Sequence, residues 1–133
     1  MCLSVHIASN SPLPVGTWNP EARGFYLEAV SVDAPVRVRF SLPNVYVAGS
    51  HLGCGCGFQK YEDDDEPEKT QANYTALAGV VRDALSQSSS IEIFTCWEGD
   101  HDCEPEFLEL VAVSELLMPE FELRELQFLR VSA

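Results

Sequence analysis

Only one long stretch of this chain, Thr70 to Gln87, repeats its apolar residues at helical spacing, with Tyr74, Leu77, Val81, Ala84 and Leu85 falling on one face. Thr70 is placed to cap its start, and Ser86 to Ser90 end the pattern. The other apolar runs are short, and most alternate, so the core must be assembled mainly from strands with a single long helix laid on them. The class this dictates is α+β: a single domain over residues 1–133, a mixed sheet of about five or six strands, and one principal helix, 70–87, packed on it.

Leu3, Val5 and Ile7 alternate with Cys2, Ser4 and His6, the period of a half-buried strand. Asn10 to Arg23 holds Pro12, Pro14, Gly16 and Pro20, which forbid a regular ladder and mark a long loop that Trp18 is expected to pin to the core. Phe25 to Val32 is a second strand candidate. Residues 36–42 suit either a strand or a short helical turn begun at Pro35. The branched and aromatic content of Asn44 to Gly49 and of Ile91 to Trp97 predicts two further strands, the second ended by a turn at Glu98-Gly99-Asp100. Phe107 to Val113 reads as strand, or as helix if continued through Leu116 and Leu117, and 120–131 alternates like a strand. Residues 60–69 include six acids in the seven positions from Glu62 to Glu68, a composition expected to make a flexible, solvated loop.

The strand at 44–49, the helix and the strand at 91–97 together suggest a βαβ unit. Parallel strands end at the same sheet edge, which would bring the loop after residue 49 close to Cys96. A first strand running antiparallel beside them would add Cys2, so that four thiols converge.

That loop, His51-Leu52-Gly53-Cys54-Gly55-Cys56-Gly57-Phe58, is the most unusual segment of the chain. Its glycines could cradle a phosphate, but no helix opens directly behind them and no P-loop Lys-Ser/Thr pair follows. Thiolate and imidazole ligands suit zinc or iron, and Cys54, Cys56, His51, Cys96 and Cys2 are the candidate ligands, with His101 and Cys103 clustered after the later strand. The Cys-x-Cys spacing is tighter than the separation usual in structural zinc sites.

Two other function classes compete with metal binding. One is a thiol enzyme, either a Cys54/Cys56 redox pair or an N-terminal nucleophile formed if Met1 is removed from Cys2; the Met1-Cys2 opening resembles that of class II glutamine amidotransferases over those two residues alone. The other is a non-catalytic interaction protein. In that case Cys96 is a small core residue, His51 braces the glycine loop, His6 is a satisfied, partly buried imidazole, and Asp100 to Glu104 is a solvated turn.

Eight Lys and Arg against 21 Asp and Glu leave a net charge of −13, which repels phosphate backbones and anionic headgroups and argues against nucleic-acid or membrane partners. Homo-oligomerisation stays open. The absence of a long apolar run, of a basic-then-apolar start in Met1 to Asn10, and of an even cysteine count leads to a cytoplasmic expectation with thiols free or ligating rather than bridged.

The opening Met1-Cys2-Leu3-Ser4-Val5, the strand Asn44-Val45-Tyr46-Val47 and the segment Gly49-Ser50-His51-Leu52-Gly53-Cys54-Gly55-Cys56-Gly57-Phe58 resemble a small bacterial family of uncharacterised proteins carrying Gly-Ser-His-x-Gly-Cys-Gly-Cys-Gly-Phe. The resemblance implies no activity, substrate or catalytic residue.

Overall fold

The alternating start of the chain forms a strand, and that strand becomes the middle of a sheet. In the computed structural model, which describes residues 2–133, β1 (Leu3–Ser9) lies between β3 (Asn44–Gly49) and β4 (Ile91–Trp97) and is antiparallel to both. The readings that depend on Met1 lie outside the described residues. With β2 (Tyr26–Ala29), β5 (Phe107–Ala112) and β6 (Gln127–Ser132) the sheet has six strands in the order β2-β3-β1-β4-β6-β5. Every neighbouring pair is antiparallel except β5 with β6, so the sheet is mixed.

One principal helix, α1 (Pro67–Leu85), connects β3 to β4. These two strands point the same way, because each opposes β1, but they do not touch. The adjacent βαβ unit suggested by the sequence is therefore split by β1, which fills the gap and is buried along all seven residues rather than on one face. β1 has even residues on one side and odd on the other. Val5 and Ile7 join Ile93, Leu129, Tyr74, Leu77 and Val81 in the core beneath α1. Ala8 joins Val45, Phe94, Cys96 and Val36 in a smaller cluster on the opposite face.

Pro67 at the first turn starts α1 three residues before Thr70, so Thr70 is buried within the first turns and is not the cap. Its hydroxyl instead donates to the Asp64 carboxylate at 2.8 Å, and Asp64 also accepts from the Glu66 amide at 2.9 Å. Those two donors hold the Asp64 carboxyl below the usual carboxylate range. The acidic stretch is thus structured at its helical end, with Pro67, Glu68 and Lys69 already in α1.

Pro35–Arg39 resolves into a 3-10 helix rather than a strand, and Val113–Leu117 forms another directly after β5. The alternation at 120–131 yields only β6. Its first half makes no ladder because Phe121 and Leu123 pack into the core that contains the α1 residues, and Leu123 is tied to Tyr74, whose hydroxyl accepts the Leu123 amide at 3.0 Å. The second strand candidate shortens to β2. The loop at 10–23 is anchored in the core by Leu13, not Trp18; the Leu13 amide donates to the Tyr46 hydroxyl at 2.9 Å. Among the described residues no helix is long and apolar enough to cross a membrane.

Candidate metal centre

The chain leaves β3 at Gly49, turns through residues 50–54 and enters a short 3-10 helix, Gly55–Phe58, which packs against β1, β3 and α1. Buried Ser50 organises the turn: its hydroxyl accepts from the Leu52 and Gly57 amides at 3.2 and 3.1 Å and donates to the Cys54 carbonyl. Gly53 takes a positive φ of 83° against the Trp18 ring, whose Nε1 donates to the His51 carbonyl at 3.4 Å.

The other two glycines of the loop serve close approach rather than left-handed backbone. A Cβ at position 55 would lie 2.3 Å from the Leu3 carbonyl oxygen, and one at 57 would lie 2.1 Å from Ser50 Oγ. Alternating glycine with cysteine therefore lets the loop press on the start of β1 while two thiols project from it.

The outcome is a cluster of three thiols. Cys2, Cys54 and Cys56 have sulfurs that all lie within 4.8 Å of one another, and each side chain is half-buried. The Leu3 amide donates to Cys56 Sγ at 3.3 Å, and the Cys2 carbonyl accepts from the Glu98 amide at 2.9 Å, so backbone fixes both sides of the cluster. Burial pushes the Cys54 thiol up to about 12; a backbone hydrogen bond from Cys56 opposes this, while hydrogen bonds with the Cys56 and Cys2 thiols add to it. All five cysteines carry free thiols.

Of the residues singled out from the sequence, Cys2, Cys54 and Cys56 come together and two do not join them. His51 turns toward α1, where its Nδ1 pairs with the Asn73 side-chain amide at 2.9 Å; the same amide donates to the Gly57 carbonyl at 3.1 Å. It braces the loop. Cys96 belongs to another group, with His6 and His101, whose donor atoms also lie within 4.8 Å of one another. The expected convergence of four thiols is thus a convergence of three: Cys96 packs with Ala8, Val45 and Phe94 on the face of the sheet away from α1.

In that second group His6 is not the satisfied imidazole expected: it is 4% exposed, and its Nδ1 has no hydrogen-bond partner. His101 Nε2 is likewise buried and unpartnered, and the two rings meet edge to face with centroids 5.2 Å apart. Burial, reinforced by His101, lowers the His6 pKa to about 4, so its ring is neutral at neutral pH. Burial, then the negative charge of Asp100 and Cys103, pushes Cys96 up to about 12.

Ser50 and Asn73 shape the loop although the sequence does not single them out for it. Ser50 stands beside the glycine loop in sequence, but Asn73 gave no signal beyond being a polar residue on the apolar side of a helix. A cleft of about 220 Å³ opens beside the cluster, lined by His51, Cys56, Asp64 and Thr70 among others. No protein-family model, curated protein or solved structure matches the chain.

Proposed function

We propose that the chain is a metal-binding protein whose Cys2, Cys54 and Cys56 hold one ion of the zinc or ferrous iron class as thiolates. The observation that carries this reading is the packing of three sulfurs, from segments about fifty residues apart, within 4.8 Å of one another. Soft sulfur donors select such ions, and three protein ligands leave a fourth position for water or a small ligand. That fourth position would be reached from the cleft lined by His51, Cys56 and Asp64.

The chain's own groups have defined parts in this. Binding displaces the thiol protons, including the one that burial holds on Cys54. The Leu3 amide stabilises negative charge on Cys56 Sγ, the outer hydrogen bond a ligating thiolate commonly receives. Asn73 and Ser50 hold the loop that carries two of the ligands. A thiol-enzyme reading is less well supported, because a nucleophilic cysteine needs a depressed pKa and Cys54 has a raised one.

The test compares native and denatured intact masses of untagged protein purified without chelator under reducing, anaerobic conditions. The expected result is a metal difference in which one equivalent disappears in the Cys54→Ser/Cys56→Ser variant. A wild-type protein that carries no ion, and takes up no more zinc on titration than that variant, overturns the reading.

A further inference from the structure

The face of the sheet away from α1 carries a donor set in which the glycine loop has no part. His6 and Ala8 lie on that face of β1, Phe94 and Cys96 on that face of β4, and Ser4 is the residue directly opposite Cys96 in the antiparallel register. His6 is therefore the diagonal neighbour of Cys96, within side-chain reach. His101 arrives from the turn after β4. Gly99, with φ 96°, reverses the chain, and the Asp100 amide donates to the Trp97 carbonyl and the Cys103 amide to the Asp100 carbonyl, each at 3.0 Å. This places the His101 ring edge to face with His6.

We propose that His6, Cys96 and His101 form a second metal site, for a divalent first-row transition ion such as zinc, held by two imidazoles and one thiolate. Two observations converge on it. The donor atoms are within 4.8 Å of one another, and bonds of about 2.0–2.3 Å in a tetrahedral site require donors roughly 3.3–3.8 Å apart, so closure needs shifts of about an ångström. Independently, both rings bury a nitrogen with no partner. Buried polar atoms are nearly always satisfied, and leaving one unpaired costs about 1–3 kcal/mol. Two orphaned nitrogens beside a buried thiol are what a plain packing cluster avoids and what an ion would satisfy. The ligand chemistry differs from that of the three-thiol cluster: imidazoles and a single sulfur suit a divalent ion, and Asp100 on the same turn adds anionic charge near Cys96.

This inference does not depend on the first site, and the test separates them. Cobalt(II) is titrated into reduced, chelator-treated Cys54→Ser/Cys56→Ser protein, which lacks the loop thiols. The expected result is one equivalent bound, with the visible bands of a four-coordinate ion and a thiolate charge-transfer band, all displaced by zinc. His101→Gln, at a partly exposed turn position, should weaken binding about tenfold or more without altering far-UV circular dichroism, and Cys96→Ser should abolish the charge-transfer band. In case the loop variant does not fold, His101→Gln in the otherwise intact chain should take up one equivalent fewer than wild type. Absence of cobalt binding by folded loop variant, or an unchanged affinity and spectrum in His101→Gln, overturns the second site and leaves the thiol-loop reading to its own test.

Discussion

Gly55 and Leu3 touch so closely that a methyl group at position 55 would sit 2.3 Å from the Leu3 carbonyl oxygen. The obstacle is backbone in the central strand and cannot swing aside. Gly55→Ala is therefore expected to destabilise the fold by about 1–3 kcal/mol and to separate Cys56 from Cys2. Gly79→Ala, in α1 with open space around the site, should instead stabilise by about 0.4–1 kcal/mol. Urea denaturation of the pair checks both signs.

Asn73 holds the loop from the helix. Asn73→Ala removes the donor to the Gly57 carbonyl and the partner of His51, and is expected to cost about 1–3 kcal/mol of stability. As a positioning residue it should also weaken zinc binding at the thiol cluster about 10–100-fold, read by competition with a chromogenic chelator. A variant with lower stability but unchanged zinc affinity would limit Asn73 to a structural part.

Tyr74 is fully buried, and its hydroxyl donates to the Phe58 carbonyl and accepts the Leu123 amide. Tyr74→Phe leaves both backbone groups unpaired in the core. An expected loss of about 1–3 kcal/mol should appear in thermal or urea unfolding, with the helix content of the folded protein unchanged.

Glu92, at 1% exposure, accepts from the Ser41 and Leu42 amides and the Ser41 hydroxyl, while Arg130 reaches it from 3.4 Å with a half-exposed side chain. Glu92→Gln should cost about 1.5–3 kcal/mol, since it weakens several bonds to a charged acceptor. Arg130→Ala should cost less than about 1 kcal/mol because solvent screens that pair. A loss in Arg130→Ala equal to or larger than that in Glu92→Gln would overturn this ranking.

The metal-free protein should lose stability in acid through His6. Its folded pKa of about 4 lies below the ordinary 6.5, so between those values the unfolded chain binds the extra proton. The stabilising effect of the neutral, buried ring is complete above pH 6.5 and falls as pH drops toward about 4, by an order of about 3 kcal/mol at most. Chemical denaturation from pH 7 to 4 checks it, with His6→Asn expected to flatten that part of the profile.

Much of the architecture could be read from side-chain pattern. The branched and aromatic runs at 44–49 and 91–97 are β3 and β4, and the alternation from Leu3 to Ile7 is β1. The idea that an antiparallel first strand would carry Cys2 to the loop edge matches the observed sheet. What the pattern did not supply was which strand sits between which, since strand order depends on pairings distant in sequence. Strand ends alone group Cys96 with the loop thiols; the loop instead packs its Phe58 into the core on the α1 side, while Cys96 packs with Ala8, Val45 and Phe94 on the other face. The match of His6 with His101 is not legible in the sequence, because it needs the register of β1 on β4 and the path of the turn after Trp97 together. The helix began earlier than Thr70 because Pro67, preset for a first turn, outweighed a capping side chain.

β1 touches both donor sets at once: Cys2 leads into it and His6 lies within it. A strand shifted by a single residue against β3 and β4 exchanges its two faces. His6 would then point into the apolar layer under α1, and Cys2 would be displaced from the loop by about 3.3 Å, so neither set could close. Ions bound at both places would each favour the same pairing of the central strand, acting as two independent locks on one alignment of the backbone.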